Sequence, residues 1–285
     1  MGQVAFVVWR ECFEALLVIG IIYAWMAKQE DRSCMRYLWG GVLLGILVAV
    51  ILALVIYGVF SALEGAPQTI FMIIMQIIAC VLIVQMVYWM HKNARHMKSA
   101  IESEMVKSRE SYAWWGALFV ILVAIAREGS EIVVFLSAQI MALNAQNSLA
   151  FITEVAIGLL ASLATFYLFI LTSRVVSWKK FFNVTGFLLL FLGLSLLMRA
   201  VEDVVNLLVE SDYIELLPAW TYSELWDSSA LLSTSSVVGN LAGSFFAYRD
   251  QPTLLNVIVF VVFWALVVFI FKRPNHHEIQ RVEVA

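Results

Sequence analysis

The chain is short of charge. Only 14% of its 285 residues are charged while 62% are apolar, and its mean hydropathy is +0.90. Soluble domains carry about a quarter charged residues, so much of this surface must face lipid rather than water. The net charge of −3 is too small to argue for a strongly acidic or basic partner, and no nucleic-acid partner is expected. Histidine is scarce too, and none of His91, His96, His276 and His277 lies inside an apolar stretch. Without a histidine there, no Ser-His-Asp set forms and a di-iron site of the Glu-x-x-His kind lacks its imidazoles. No phosphate-binding loop occurs. The chain is therefore expected not to be an enzyme and to hold no resident cofactor. The three cysteines, Cys12, Cys34 and Cys80, are odd in number, widely spaced and set in or beside apolar segments. They make no disulfide framework and read as small packing residues. A basic n-region is missing as well. No basic residue precedes Arg10, and the first apolar stretch already holds Arg10, Glu11 and Glu14, so a cleaved signal peptide is not expected.

What the chain has is long apolar runs. A membrane-crossing helix needs about 20 mostly apolar residues. Seven segments qualify, at about 4–27, 37–60, 69–90, 113–142, 150–173, 181–205 and 253–271. The loops between them alternate in basic residues. Lys28, Arg32 and Arg36 follow the first span; Lys92, Arg95, Lys98, Lys107 and Arg109 follow the third; Arg174, Lys179 and Lys180 follow the fifth; Lys272, Arg273 and Arg281 follow the last. The opposite loops hold only Arg249, and Arg10, Arg127 and Arg199 lie within spans. The positive-inside rule then gives an all-α integral membrane protein of about seven transmembrane helices with its N-terminus out and C-terminus in. An outer segment at 206–252, containing Trp220 and Trp226, is expected at the headgroup level with a short helix near Ser235–Tyr248. The tail at 272–285 is expected in the cytoplasm.

Two of the spans carry the same charged motif. The first holds Arg10-Glu11-Cys12-Phe13-Glu14 and the fourth Arg127-Glu128-Gly129-Ser130-Glu131. With three helices between them, the copies enter from opposite faces. This is the sequence form of an inverted repeat, with a site at the repeat interface; repeat one covers about 4–90 and repeat two about 113–205. Carboxylates in hydrocarbon are costly and mark function. Residues at i and i+3 share a helix face, and each motif holds one more acid than base. Four convergent carboxylates, Glu11, Glu14, Glu128 and Glu131, suit a hard cation such as iron, Mn²⁺, Mg²⁺ or Ca²⁺, with Arg10 and Arg127 positioning them. Arg10 lies about 9 Å in from the outer end of its span and Glu131 about 27 Å from the inner end of its own, so both motifs fall in the outer half or near the midplane. Arg199 can reach Glu202 or Asp203, which are candidates for the site's entrance or for an interfacial ion cluster. Glu64 and Glu154 read as solvated acids near outer loops. Gly41 and Gly45 read as a small-xxx-small packing face. Met72, Met75, Met86 and Met90 read as apolar filling.

These residues resemble the high-affinity iron permeases of fungi and bacteria. The likeness lies in the two Arg-Glu-x-x-Glu motifs in the first and fourth of seven helices. It extends to Leu225-Trp226-Asp227, Leu231-Leu232 and Tyr248-Arg249 ahead of Pro252. The resemblance implies a multi-pass permease of the cell inner membrane that imports Fe³⁺ or Fe²⁺ as transported substrate. Glu11, Glu14, Glu128 and Glu131 would be its metal ligands, Arg10 and Arg127 their motif partners, and a ferroxidase or periplasmic iron-binding protein would supply the ion. The motif centre Cys12-Phe13 departs from the Gly-Leu frequent in the family, which leaves a carrier for Mn²⁺ or Pb²⁺ as the alternative. A membrane metal-dependent redox subunit ranks below both.

Overall fold

The computed structural model describes residues 2–29, 33–93, 97–141, 147–172, 178–211, 218, 221 and 223–272. Outside them lie the basic residues Arg32, Arg95, Arg174, Arg273 and Arg281, as do His96, His276, His277, Trp220 and the tail beyond Lys272. The described residues form eight helices and no strand: α1 (Gln3–Met26), α2 (Cys34–Ala62), α3 (Ala66–Asn93), α4 (Met97–Met141), α5 (Ser148–Thr172), α6 (Trp178–Glu210), α7 (Val237–Phe246) and α8 (Leu254–Lys272). Five of these, α2, α3, α5, α6 and α8, are long and apolar enough to cross a membrane. Helices satisfy every backbone group within the segment, which hydrocarbon requires. The apolar side chains of α2 and α5 point outward, with Leu43 69% and Leu160 66% exposed. That is the surface a bilayer covers.

Helix α4 starts well before the apolar segment expected at 113–142. Hydropathy detects only the apolar part of a helix. The preceding stretch is rich in Glu, Lys, Met and Arg, which are good helix formers, so the helix continues past the apolar boundary. Helix α6 likewise runs beyond 181–205, to Glu210.

Lipid tails are as apolar as leucine, so helices must associate by close packing rather than by the hydrophobic effect. Gly41 and Gly45 of α2 serve this end. A Cβ on Gly45 would stand 2.7 Å from Ile125 Cβ of α4, and one on Gly41 would stand 2.9 Å from Ile121 Cβ. Gly158 of α5 does the same against α1, where a Cβ would meet the Ala5 carbonyl at 2.6 Å. Trp9 Nε1 also donates to Thr165 Oγ1 at 3.0 Å, and the Gly2 amide donates to Glu154 at 2.8 Å, so Glu154 fastens α5 to the start of α1. Helices α1 and α4 cross each other, and α3 packs along α6.

The outer segment is knitted together by its own polar groups. Tyr248 donates its hydroxyl to the Leu232 carbonyl and shares a hydrogen bond with Ser228. The Ser228 amide donates to the Asp250 carbonyl, and the Leu225 amide to that of Pro252. The Thr234 backbone N–H donates to the Asp250 carboxylate and holds it below the usual carboxylate range. The Ser229 hydroxyl and N–H do the same for Asp227. Ser236 caps α7 by accepting from the Gly239 amide. Helix α7 packs on the start of α1 and the middle of α6: Ser195 Oγ donates to the Gly243 carbonyl at 2.9 Å, and Phe245 meets Phe6 edge-on.

Candidate cation site

Helices α1 and α4 cross where their charged motifs lie, and the crossing gathers the carboxylates. Oxygens of Glu11, Glu128 and Glu131 all lie within 4.8 Å of one another, and all three residues are buried. A hard cation with oxygen bonds of about 2.0–2.6 Å needs opposite ligand atoms about 4–5 Å apart, so the three oxygens already stand at a spacing one ion can bridge.

Each motif arginine takes one side of the cluster. Arg10 is fully buried. Its Nη1 donates to Glu11 Oε1 at 2.8 Å, and its Nη2 forms an ion pair with Glu14 Oε1 at 2.7 Å, one helical turn on. In α4, Arg127 Nε pairs with Glu131 Oε1 at 3.0 Å, again at i+4, but here the arginine side chain is 44% exposed. Glu14 stands apart from the trio. It is held by Arg10 and lines an adjoining cavity together with Arg127 and Glu128.

The second oxygens of these carboxylates carry the chemistry. Oε2 of Glu11, Glu128 and Glu131 is buried in each case without a hydrogen-bond partner. A buried polar atom without a partner is unusual and costly, and more so when charged. Four carboxylates against two guanidiniums leave a formal charge of −2. A divalent cation would satisfy both the orphaned oxygens and the charge, and the all-oxygen donor set suits a hard ion.

Three participants were not visible in the sequence. Met86 and Met90 of α3, read there as filling, accept from Arg10 Nη1 and Nη2 at 2.9 Å each. They act as acceptors for the arginine, and their i, i+4 spacing on α3 was the available signal. Trp89 stands between them on the helix, and its ring lies 5.1 Å from the Arg127 guanidinium carbon, a cation–π distance. Cys12 is partly buried and faces an apolar cavity of about 360 Å³ between α1, α2, α4 and α5. It does not join the oxygen cluster.

Glu202 and Asp203 lie elsewhere, near the C-terminal end of α6. Arg249, from the outer segment, grips Glu202 through two nitrogens at 2.7 and 3.1 Å. Asn256 adds a third hydrogen bond to Glu202 at 3.3 Å. The reason Arg249 takes the place expected for Arg199 is tertiary. The loop ahead of α8 returns over α6, and a bidentate fork across that junction is stronger than a bend back along one helix. Asp203 accepts from Gln76 of α3 at 3.1 Å.

The Iron permease FTR1 family model matches residues 1–273. The ferrous iron permease EfeU of Escherichia coli O6:H1 (strain CFT073) is 26% identical over 276 residues, covering 93% of each chain. That of Yersinia pestis is 23% identical over 280 residues, covering 94% of this chain and 92% of the relative. No solved structure is significantly similar to the chain. The chain belongs to the iron permease FTR1 family and is a multi-pass membrane protein.

Proposed function

We propose that this member of the iron permease family imports ferrous iron across a bacterial inner membrane, using the Glu11, Glu128 and Glu131 oxygens as its central site and Glu14 as a fourth carboxylate. The observation that carries the reading is the convergence of three buried carboxylate oxygens from two motifs more than a hundred residues apart in sequence. The relatives are named ferrous iron permeases, and the formal charge of the site is matched by one divalent ion.

Seven spans, N-terminus out and C-terminus in, fit the basic-loop alternation once α1 and α4 join the five apolar helices. Both are long enough to span, at 24 and 45 residues, and the motif charges interrupt the apolar run of each. Two inverted three-helix repeats fit the packing. Helix α1 pairs with α5 as α4 pairs with α2, while α1 with α4 and α3 with α6 are pairs that exchange of the halves leaves in place. The sequence offset that carries Arg10 to Arg127 also carries Gly41 to Gly158 and Gly45 to Ser162, the small faces of α2 and α5. A ferroxidase or periplasmic iron-binding protein would deliver the ion to the outer side, where α7 and the loop ahead of α8 present the interface.

Uptake of radiolabelled iron into vesicles carrying Glu14→Ala or Glu131→Ala tests the reading. At least a ten-fold fall is expected in each, and uptake at the wild-type rate in both would sink it. Competition by Mn²⁺ and Pb²⁺ in the same assay separates an iron permease from a broader divalent-cation carrier.

A further inference from the structure

On the side of the carboxylates away from α7, a cavity of about 370 Å³ runs between α1, α3, α4 and α6. Glu14, Arg127 and Glu128 line one end. Ile22 of α1 and Ile101 and Glu104, from the first turns of α4, line the other. The loops after α1 and before α4 are two of those rich in basic residues, so this end is the inner one in the proposed orientation. The volume holds on the order of ten waters, enough for a cation to leave hydrated.

We propose that this cavity is the release route of the cargo, that Arg127 stacked on Trp89 is its gate, and that Glu104 receives the hydrated cation at the inner end. The proposal rests on the carboxylate cluster being the transport site. Three observations carry it. First, the two motif arginines are not equivalent. Arg10 is enclosed by Glu11, Glu14, Met86 and Met90 and has nowhere to move. Arg127 is nearly half exposed, has one ion pair and borders the cavity. A tethered cation so placed competes with the cargo for Glu131.

Second, the Trp89 ring already lies 5.1 Å from the Arg127 guanidinium carbon while Nε pairs with Glu131. A partly exposed ion pair and a partly exposed cation–π contact are of similar, small strength. Giving up the ion pair while keeping the ring contact is therefore cheap, and an arriving divalent ion decides it. Third, Glu128 belongs to both places: its buried Oε2 has no hydrogen-bond partner, and the residue lines the cavity. Cluster and cavity are thus continuous. Beyond Glu128 the walls are mainly apolar, including Val18, Val120 and Ala124. Among the described residues they offer no ligand to hold the ion until Glu104, which is exposed.

The test uses the full chain with Cys12, Cys34 and Cys80 replaced by alanine, carrying Ala124→Cys and reconstituted in liposomes. A positively charged, membrane-impermeant thiol reagent is applied to one face at a time, and iron uptake is then measured. Labelling is expected from the face bearing Lys28 and Arg36 only. It should be slowed by ferrous iron, be accelerated several-fold by Trp89→Ala, and cut uptake at least ten-fold. Val123→Cys is the second position if Ala124→Cys does not fold. Glu104→Gln should lower maximal uptake several-fold while leaving the half-saturating iron concentration unchanged. Labelling only from the opposite face, no labelling from either, or labelling that leaves uptake intact would overturn the proposal. If the unmodified chain moves no iron, the transport reading fails on its own, and the sidedness of labelling still reports on the cavity.

Discussion

The Arg10 guanidinium donates to the Met86 thioether across 2.9 Å, so a helix with no charge at that depth is tied to a fully buried cation. Thioethers are weak acceptors. They occupy the guanidinium nitrogens without drawing charge away from Glu11 and Glu14. Met86→Leu keeps the volume and removes the acceptor, so stability should fall by less than about 1.5 kcal/mol. Freed of its sulfur partner, Arg10 leans further on the carboxylates, and cation affinity should weaken several-fold. Calorimetric titration of the purified protein with Fe²⁺ checks this, and unchanged affinity would refute it.

The two arginines should differ sharply on removal. Arg10→Ala leaves two buried carboxylates without their counter-charge and should cost about 3–5 kcal/mol. Arg127→Ala removes a half-exposed arginine but leaves the buried Glu131 without its partner, and should cost less, about 1–3 kcal/mol. Thermal unfolding in detergent at neutral pH measures both. Equal losses would contradict the asymmetry seen in their burial.

Close helix contact makes Gly158 intolerant. A Cβ there meets the Ala5 carbonyl at 2.6 Å, and Gly58, whose added Cβ would meet nothing within 4 Å, is the matched control. Gly158→Ala should cost about 1–3 kcal/mol by overpacking, whereas Gly58→Ala should be neutral or stabilising. The yield of monodisperse protein on size exclusion separates the two.

The outer segment should loosen in acid. Asp250 has its carboxyl held below its unfolded value of about 3.9 by the Thr234 N–H. Its contribution is therefore present above that value and lost as pH falls through the lower, folded one. The protection factor of the Thr234 amide, its exchange rate relative to an unstructured amide at the same pH, should fall below about pH 4, and Asp250→Asn should remove that step. A protection factor that stays constant through this range in the wild type would count against the contact.

The helices and the motifs were legible in the sequence for a simple reason. Hydrocarbon demands long apolar runs, so an Arg or Glu inside one stands out. The i+4 pairs Arg10–Glu14 and Arg127–Glu131 follow from helix geometry alone. Long-range packing was not legible. Which carboxylates meet depends on the crossing of α1 and α4, which brings Glu11, Glu128 and Glu131 together and leaves Glu14 beside them. Met86, Met90 and Trp89 look like any apolar residues until α3 sets them against the arginines. The partner of Glu202 was open for the same reason: Arg249 reaches it only because the loop ahead of α8 folds back.

Iron-edge anomalous diffraction from iron-soaked crystals of the full chain tests whether Glu11, Glu128 and Glu131 together hold the transported ion. One anomalous peak is expected within bonding distance of oxygens from all three residues, with Arg127 released from Glu131 and still against Trp89. A peak at Glu202 and Asp203 instead, or one that persists when Glu11, Glu128 and Glu131 are all changed to glutamine, would contradict it.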